Sequence, residues 1–527
     1  MEVGKIYLKK NPILIIETYG KKARFLKLSK NKNKNRLMLK QTDFIENKLK
    51  NKYFVCFEEI LEIKKDSKLK EIGSLKYQSL KKIIKFSIKY NSKTYFNLVK
   101  KDSQNKYIPP SGKVITQKDL NTMIEASLNM NLTGGKFNIK FEQNLCKYFN
   151  LNFALAVNSG SSANLLAITA LKSNLLGDKK LNDFDEVLTV ATCFPTTVAP
   201  IIQNNLIPVF IDINKETYNI EVEQIENFIN SKTKAIFIAH TLGNPFNLNK
   251  IKQICKKYNL WLIEDNCDSL GSMYDGKLTG SFGDISTLSF YPAHHITSGE
   301  GGAVLTNNPI VNKILHSLRD WGRDCTCKPA VDNSCGKRFS LQYGSLPKGF
   351  DHKYIYSDFG YNFKMTDWQA ALGYSQLKRI NFNTKKRKLN FNLIYESLKN
   401  FHKYLTLPHK EEQSNPSWFG FPITVIPNDF FTKNDLVNYL EKSGIGTRPI
   451  FAGNILRHPL FINNDVKLKI KNSNILLSSQ LNEDNFKELP NTDFVMNNSF
   501  WIGLWHGLKF IQIEYIISQF SNFFDRI

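Results

Sequence analysis

Two adjacent histidines and one carboxylate at the end of a strand are the residues of this sequence best suited to acid–base chemistry. His294 and His295 lie in SFYPAHHITSGEGGAV, on a loop ahead of a glycine-rich turn. Histidine can transfer protons near neutral pH, so this pair is a candidate for proton transfer. Asp265 ends the apolar run LWLIED, where a carboxylate can pair with a protonated ring nitrogen, cap a helix or join a salt bridge.

The motif NSGSSAN, at residues 158–164, is a candidate phosphate-binding turn. It follows the apolar run FALAV and precedes the helical segment LLAITALKS. Small residues let a phosphate approach the backbone, and a helix N-terminus offers free N–H groups and a positive dipole end. Many turns use the same residues for structure alone, so the motif by itself leaves both interpretations open. Ser289, in a later apolar run, offers a further hydroxyl.

Four of the eight cysteines have the spacing of a metal-ligand set. The pattern is C-x57-C-x-C-x7-C, formed by Cys267, Cys325, Cys327 and Cys335. Thiolates are soft ligands for zinc and for iron–sulfur clusters. By chemistry alone, zinc is the first choice, and an iron–sulfur cluster or a chance grouping also fits. The remaining cysteines are interpreted as core or surface thiols; they are Cys56, Cys146, Cys193 and Cys255.

The elements that must position these residues alternate between strand and helix. The predicted buried strands are FALAV (153–157), EVLTVAT (186–192), IPVFIDI (207–213), KAIFIAH (234–240), LWLIED (260–265), STLSF (286–290) and GAVLT (302–306). Strands separated by helices predict a mostly parallel α/β sheet, in which functional residues gather at the carboxyl ends of the strands. The motifs above fall at such ends.

Composition divides the 527 residues into segments, and this length suggests about three structural units. The predicted segments are a small β-rich basic domain of SH3-like barrel shape (1–65), a linker or entry helix (66–104), a large domain (105–390) and a small C-terminal α+β domain (391–527). In the last segment, Thr432 is the expected N-cap of the helix in TKNDLVNYLEKSG, and Gly444 is expected just past its end.

The positive charge is concentrated at the start of the chain. Residues 1–100 contain 26 basic and 9 acidic residues, which is +17 of the formal +25. A basic segment can bind nucleic acid or anionic lipid. A Lys- and Asn-rich solvated surface is the simpler interpretation, and we favour it. Binding of nucleic acid or of another protein is the alternative function for this segment.

Composition and hydropathy exclude several classes of protein. Hydrophobic residues make up 42% and charged residues 23%, which is ordinary globular usage and argues against bulk disorder. No apolar run reaches roughly 18 residues, so no membrane-spanning helix is expected. The first residues, MEVGKIYLKKNPILIIE, lack the architecture of a signal peptide, and a cytoplasmic location is expected.

Taken in order, these motifs resemble the fold-type-I, pyridoxal-phosphate-dependent sugar aminotransferases of the DegT-like family. The phosphate turn, Asp265, and SFYPxx followed by GEGGAV carry the resemblance, and HTLGNP (240–245) and GYNFKMTDWQAAL (360–372) match further family segments. The resemblance covers about residues 75–527. It implies an α/β, fold-type-I transferase with a large, mostly parallel-sheet domain and a small α+β C-terminal domain, preceded here by a β-rich extension.

One departure from that family concerns the catalytic position. His294 stands where the aminotransferases have the lysine that forms the Schiff base with the cofactor, and no lysine occurs between Lys277 and Lys313. Histidine forms no stable imine but can act as a base. The exchange is similar to that of the sugar 3-dehydratases of deoxysugar biosynthesis. It implies noncovalently bound pyridoxamine 5′-phosphate (PMP, the amine form of PLP) and a catalytic base at His294.

The resemblance also implies cofactor-binding residues. The phosphate would be held by Gly160, Ser161, Ser162 and Ser289. Asp265 would keep the pyridine nitrogen protonated, which makes the ring an electron sink. Asp268 falls where the aminotransferases usually have a glutamine near the ring hydroxyl.

Two further implications concern the partner subunit and the substrate. Asn362 matches a residue that reaches the phosphate bound by the partner subunit, which implies a homodimer with composite sites. Arg448 and Asn454, in GTRPIFAGN, are candidates for substrate binding.

The cysteine spacing is similar to the [2Fe–2S] ligand pattern of the CDP-linked branch of these dehydratases. The GDP-linked branch lacks such a cluster. The resemblance therefore implies C3 dehydration of CDP-4-keto-6-deoxy-D-glucose, on the route to 3,6-dideoxyhexoses of bacterial O-antigen lipopolysaccharide. A separate flavin and iron–sulfur reductase would supply electrons. The alternatives are a cluster-free GDP-4-keto-6-deoxymannose 3-dehydratase and an ordinary PLP-dependent sugar aminotransferase.

Overall fold

The computed structural model of this chain describes residues 107–325, 327 and 333–527, together with the backbone of strands between residues 5 and 74 and scattered helical positions between 83 and 96. The chain divides into two compact units, Met1–Gln104 and Asn105–Ile527. Each unit is described by itself.

The first unit contains an antiparallel sheet, in agreement with the predicted β-rich extension. Its strands are β1 (Lys5–Leu8), β2 (Pro12–Tyr19), β3 (Lys22–Ser29), β4 (Arg36–Leu39), β5 (Tyr53–Lys64) and β6 (Lys70–Ser74). The order β4-β5-β3-β2-β1-β6 leaves β4 and β6 at the edges, so the described pairings form an open sheet and do not include the expected barrel closure.

The position of β6 differs from the predicted boundary at residue 65. This strand lies in the segment interpreted as a linker, yet it pairs with β1 in an antiparallel arrangement. Such a pairing joins distant parts of the chain and leaves no local pattern to predict it. The described positions Ile83, Lys85 and Ile88 are helical, as expected for the entry helix.

The second unit contains many strands of different lengths. They are β7 (Phe153–Val157), β8 (Glu186–Val190), β9 (Ile207–Ile211), β10 (Thr233–Ala239), β11 (Trp261–Asp265), β12 (Met273–Tyr274), β13 (Lys277–Leu278), β14 (Ile285–Ser289), β15 (Gly302–Thr306), β16 (Leu405–Thr406), β17 (Ser414–Asn415), β18 (Gly420–Val425), β19 (Thr447–Arg448), β20 (Lys467–Ile470), β21 (Leu476–Leu477) and β22 (Ser499–Gly503).

Helices surround these strands. They are α1 (Gln117–Asn129), α2 (Lys136–Phe149), α3 (Gly160–Ala170), α4 (Pro195–Gln203), α5 (Leu248–Tyr258), α6 (Pro309–Arg319), α7 (Asp367–Leu377), α8 (Ile380–Leu398), α9 (Lys433–Lys442), α10 (Pro459–Ile462), α11 (Glu483–Lys487), α12 (Pro490–Asn498) and α13 (Phe510–Phe524). In the part of the chain that the structure describes, no helix combines the length and apolarity that a membrane crossing requires.

The central sheet has the order β21-β20-β9-β8-β10-β11-β14-β15-β7. The pairings from β20 to β14 are parallel, whereas β15 is antiparallel to both of its neighbours. All seven strands predicted from apolar runs are confirmed. These runs are continuous because helices cover both faces, so nearly every strand position is buried.

The register of the parallel strands brings the functional residues to one edge of the sheet. Ala239 at the end of β10 pairs with Asp265 at the end of β11, and Asp265 pairs with Thr287 of β14. Ser289 ends β14, and the chain leaving β7 enters α3 at Gly160. The carboxyl ends of these strands therefore surround one space.

A second, antiparallel sheet has the order β16-β18-β22-β19 and belongs to the predicted α+β region. Helices α8, α9 and α13 bury apolar side chains against it, including Ile394, Leu436 and Ile516. Thr432 is confirmed as the N-cap of α9, where its side chain accepts from the N–H of Asp435. Gly444 follows the helix at φ +77°, a conformation that glycine adopts without strain.

The boundary expected at residue 390 differs from the observed structure in two ways. Residue 390 lies inside α8, which runs without interruption from Ile380 to Leu398. Strand β20, far into the predicted small domain, pairs in parallel with β9 and so extends the large sheet. Amino-acid composition does not mark the boundary between the two domains, because helices and strands of similar composition build both of them.

Candidate active site

A cavity of about 610 Å³ opens at the carboxyl edge of the large sheet. Most of the residues predicted for the site line this cavity. They are Gly160, Ser161, Asp265, Cys267, Asp268, Ser289, His294 and Arg448. The cavity also has lining residues that the sequence analysis did not single out, among them Ser159, Thr197, Tyr291, Glu300 and Phe419.

The phosphate turn is built by the start of α3. Ser159 is the N-cap, and its hydroxyl accepts a hydrogen bond from the N–H of Ser162 at 3.0 Å. A Cβ added to Gly160 would lie 2.6 Å from the Cβ of Ser289, so only glycine fits between the turn and β14. The first N–H groups of the helix and the hydroxyls of Ser161 and Ser289 are thereby available for an anion. Ser162 itself does not line the cavity.

The carboxylate of Asp265 is held by three donors. Its Oδ2 accepts from Asn164 Nδ2 and from Thr197 Oγ1, each at 2.8 Å, and its Oδ1 accepts from the Cys267 N–H at 3.2 Å. Thr287 Oγ1 in turn donates to Asn164 Oδ1 at 2.5 Å. These contacts fix the carboxylate at the cavity wall, where it can meet a protonated ring nitrogen. Sequence reasoning missed Asn164 and Thr197 as positioning residues, although Asn164 closes the NSGSSAN motif.

His294 faces the cavity beside a carboxylate. Its Nδ1 lies 3.3 Å from Asp268 Oδ1, close enough for an ion pair although not aligned as a hydrogen bond. The imidazole packs against the ring of Phe419, with 5.3 Å between the ring centres. No lysine lines the cavity among the residues that the structure describes. The arrangement can accept and return a proton but offers no amine for an imine.

The neighbouring His295 has a structural role. It is fully buried and its Nε2 lies 2.6 Å from the carbonyl oxygen of Ser417, to which it donates. Burial, together with the charge of Arg387, lowers the pKa of His295 well below its usual value. The imidazole is therefore neutral at physiological pH. Of the two predicted histidines, only His294 reaches the cavity.

Arg387 is a buried cation behind the cavity wall. Its Nη1 donates to the carbonyl oxygens of Trp418 and Phe419, at 3.2 and 2.9 Å. Burial lowers the pKa of Arg387 to about 9, and the charge of Asp268 opposes that shift. Asp268 therefore lies beside the His294 imidazole and also interacts electrostatically with the Arg387 guanidinium.

The four predicted cysteine ligands are divided between two pockets. Cys325, Cys327 and Cys335 line a separate small pocket, where the Cys327 and Cys335 sulfurs are 3.5 Å apart. Hydrogen bonding from Ser334 lowers the pKa of Cys327 to about 6. Cys267 lines the large cavity instead, where burial and the Asp265 carboxylate raise the pKa of its thiol well above the usual value.

No complete metal site forms within the part of the chain that the structure describes. There, no three His, Cys, Asp or Glu side chains stand close enough together to hold a metal ion. The four cysteines of one chain therefore do not fit a single [2Fe–2S] cluster.

Two other predicted residues lie outside the cavity. Asn362 is exposed and pairs with Asp320 in an antiparallel bridge. Asn454 is fully buried; its Oδ1 accepts from the Leu456 N–H at 3.1 Å and its Nδ2 donates to Asp493 Oδ1 at 2.7 Å. Its amide is thus engaged in capping a short helical turn, and the expected substrate contact is replaced by a structural one. Arg448 reaches the cavity, as expected.

Comparisons with known proteins agree with this geometry. Residues 113–521 match the model of the DegT/DnrJ/EryC1/StrS aminotransferase family. The chain is 52% identical over 417 residues to the lipopolysaccharide biosynthesis protein RfbH of Salmonella typhimurium, covering 79% of this chain and 92% of that protein. It is 46% identical to the dTDP-4-dehydro-2,6-dideoxy-D-glucose 3-dehydratase of Saccharopolyspora spinosa, covering 79% and 86%.

Solved structures give the same result. An E. coli GDP-4-keto-6-deoxy-D-mannose-3-dehydratase with bound hydrated PLP superimposes with a TM-score of 0.67 at 26% identity, covering 78% of this chain and 98% of that one. The predicted fold-type-I architecture is therefore confirmed. By sequence match and by fold, the chain belongs to the DegT/DnrJ/EryC1/StrS aminotransferase family.

Proposed function

We propose that this protein is a nucleotide-sugar 3-dehydratase that uses PMP to remove the C3 hydroxyl of a 4-keto-6-deoxy sugar in deoxysugar and lipopolysaccharide biosynthesis. The observation that carries the proposal is the side chain of His294, which lines the cofactor cavity beside Asp268 in place of a lysine. Relatives named as 3-dehydratases and as a lipopolysaccharide biosynthesis protein support it.

The residues of the cavity fit the cofactor. Gly160 leaves a space beside Ser289 that a side chain would fill, at the N-terminus of α3, where a phosphate is favoured. The firmly held carboxylate of Asp265 meets the second requirement of the cofactor, a partner for the ring nitrogen. When bound, PMP supplies an amine for the sugar ketone and a ring that accepts electrons.

Each residue of the cavity has a separate proposed role in binding or proton transfer. The α3 N-terminus with Ser161 and Ser289 binds the phosphate, and Asp265 pairs with the ring nitrogen. His294 moves the proton: its Nδ1 faces Asp268, so its Nε2 is the atom left to accept a proton from the carbon that bears the amine. Asp268 keeps the imidazole in this orientation. Arg448, at the cavity wall, is the proposed contact for the negatively charged nucleotide end of the substrate.

The proposed substrate is CDP-4-keto-6-deoxy-D-glucose, since the four-cysteine spacing resembles the CDP-linked branch. We further propose a cytoplasmic homodimer, with a separate flavin and iron–sulfur reductase as electron donor. A single chain does not assemble the cysteines into one cluster, so no chemical step is assigned to a cluster within it. A GDP-linked sugar remains the second candidate substrate, because two relatives of this chain are named GDP-4-keto-6-deoxy-D-mannose 3-dehydratase.

The test is His294→Asn, assayed with PMP and each of the CDP-, dTDP- and GDP-linked 4-keto-6-deoxy sugars. We expect loss of dehydration, followed as loss of water by mass spectrometry, with PMP affinity retained. His402→Asn, at an exposed histidine outside the cavity, is the matched control and should behave as wild type. Near-normal turnover by His294→Asn would show that another residue is the base.

A further inference from the structure

The aromatic ring of Phe419 packs against His294 at the wall of the large cavity. The centres of the two rings are 5.3 Å apart, and Phe419 is 8% exposed. Phe419 lies one residue ahead of β18, so the pairing of that strand with β22 does not include it. Its N–H donates to the carbonyl oxygen of Leu242 at 2.7 Å. Contacts outside the sheet therefore hold this ring against the imidazole.

Arg387 of α8 holds the backbone of the same segment. Its Nη1 donates to the carbonyl oxygens of Trp418 and Phe419, at 3.2 and 2.9 Å, and its Cζ lies 5.9 Å from the centre of the Phe419 ring. Arg387 is 0% exposed and does not line the cavity. It can therefore influence proton transfer only through the residues that it holds and through its charge.

The same face of α8 also holds the loop that carries His294. Asn383 and Arg387 are four positions apart, so their side chains lie on one face of the helix. Asn383 Nδ2 donates to the carbonyl oxygen of His295 at 3.1 Å. The Nε2 of His295 in turn donates to the carbonyl oxygen of Ser417 at 2.6 Å. One helix therefore sets the spacing between the histidine loop and the Phe419 segment.

The buried charge of Arg387 is compensated by backbone oxygens and by Asp268. Burying a cation costs free energy unless hydrogen bonds and an opposite charge offset that cost. Two carbonyl oxygens accept from the guanidinium, and the Asp268 charge favours its protonated form. Asp268 also lies beside His294. Arg387 thus acts on His294 by packing, through Phe419, and on Asp268 by charge.

We propose that Arg387 is a positioning residue for His294: by holding the backbone of Trp418 and Phe419, it keeps the Phe419 ring packed on the imidazole and the imidazole beside Asp268. The proposal rests on the proposed function for the role of His294 as the base. The placement of the imidazole itself is measurable in the protein without cofactor or substrate.

Carbethoxylation of the cofactor-free protein measures that placement. Diethyl pyrocarbonate acylates unprotonated imidazoles that it can reach, and peptide mass spectrometry gives the rate at His294 relative to the exposed His402. In Arg387→Gln and Arg387→Lys the shorter side chain places no donor where Nη1 lies, so Phe419 loses its support. We expect the ratio to rise several-fold in both variants. An unchanged ratio in folded variants would overturn the proposal.

Phe419→Leu removes the ring and leaves Arg387 in place. It should raise the labelling ratio as the Arg387 variants do. The double variant Arg387→Gln/Phe419→Leu should show no further rise, because residues that act through one contact are not additive. A further rise would show that Arg387 acts by another route and would overturn the proposal. A wild-type ratio in Phe419→Leu would overturn it too, whether or not the Arg387 variants fold.

Proton exchange on bound PMP is the second measurement. A displacement of roughly 1 Å costs up to about 10²-fold in rate, so exchange at the amine-bearing carbon should slow by about 10-fold in Arg387→Gln. The Kd for PMP should change by less than about 3-fold, because Arg387 does not line the cavity. Arg379→Lys is the matched control, at an N-cap arginine of α8 that donates to the Val114 carbonyl oxygen and to Asp119. It should keep the wild-type ratio and rate.

The two measurements separate this proposal from the proposed function. A wild-type protein that exchanges no proton on PMP, together with a raised labelling ratio in the Arg387 variants, would overturn the base assignment and support the positioning of His294 by Arg387. Normal exchange in wild type, together with an unchanged labelling ratio in the Arg387 and Phe419 variants, would overturn the positioning role alone.

Discussion

The Nδ1 atom of His294 lies 3.3 Å from Oδ1 of Asp268, and both side chains line the large cavity. The two side chains are largely buried, with 14% and 10% of their surfaces exposed. The charge of Arg387 interacts favourably with Asp268. A carboxylate that faces one imidazole nitrogen directs the other toward the substrate, as in other histidine–carboxylate pairs.

Replacing Asp268 by Asn should slow proton transfer more than it weakens cofactor binding. The amide no longer orients the imidazole or stabilises its protonated form, so we expect a decrease of about 10²-fold in the rate of proton exchange at the amine-bearing carbon of PMP. The rate is measured as deuterium incorporation from D₂O by mass spectrometry. PMP affinity should change by less than about 3-fold, or 0.7 kcal/mol.

Asp178→Asn, at an exposed carboxylate that does not line the cavity, is the control for this experiment. It should exchange at the wild-type rate. Equal exchange rates for Asp268→Asn and wild type would remove Asp268 from the proton-transfer machinery.

Replacing Gly160 by Ala should weaken cofactor binding. The added Cβ would lie 2.6 Å from the Cβ of Ser289 and 3.2 Å from the sulfur of Cys267, inside the proposed phosphate site. Overpacking of this kind costs about 1–3 kcal/mol, so the Kd for PMP should rise by roughly 5-fold or more. Fluorescence titration measures it. Gly134→Ala is the matched control, since a Cβ there meets nothing within 4 Å; equal Kd values for the two variants would contradict the assignment.

Acid should destabilise the protein partly through His506. Burial, with Arg387 and Arg379 nearby, lowers the pKa of His506 from 6.5 to about 3. The folded state keeps this imidazole neutral, whereas the unfolded chain protonates it below pH 6.5. The associated stability is present above pH 6.5 and is lost as pH falls toward 3. Between pH 6.5 and about pH 5 the loss is about 2 kcal/mol.

The measurement for His506 is urea unfolding of wild type and His506→Gln at several pH values. Over that pH interval, the free energy of unfolding of the variant should fall by about 2 kcal/mol less than that of wild type. His402→Gln, at an exposed histidine, should follow the wild-type curve. Parallel curves for wild type and His506→Gln would show that this residue titrates normally in the folded protein.

Replacing Cys325 by Ala should separate the iron–sulfur cluster that the cysteine spacing implies from the proposed dehydration step. If the spacing marks a cluster site, iron and the dithionite-bleachable absorption are lost in the variant, because one of the implied thiolate ligands is gone. A single turnover of dehydration should survive, since His294 and the PMP-binding residues are untouched. Anaerobic absorption spectra and rapid-quench mass spectrometry measure the two properties. Retained iron would contradict the ligand assignment, and lost dehydration would contradict the separation of the two parts.

The sequence by itself determined the central strands, the cap of α9 and the residue types of the site. Continuous apolar runs specified β7 to β11, β14 and β15, because strands covered on both faces must be apolar throughout. The Thr432 cap was predictable because a capping hydrogen bond spans a few residues. The sequence places His294 where the family that it resembles has a lysine, and the order of the motifs identifies that position.

The tertiary structure decided which distant residues meet. Asn164 and Thr197 hold Asp265 from 101 and 68 positions away, and no local pattern announces either contact. Asn454 was expected to contact the substrate, but in the structure it is a buried cap. Strand β20 lies far beyond the predicted end of the large domain, yet it pairs with β9 of the large sheet. The cysteine spacing predicted one ligand set, but the fold placed Cys267 in the large cavity and the other three in a separate small pocket. Local hydrogen bonding and side-chain periodicity act over a few residues and can be read from a chain, whereas parallel strand register and loop packing are long-range and fix contacts only once the whole sheet has formed.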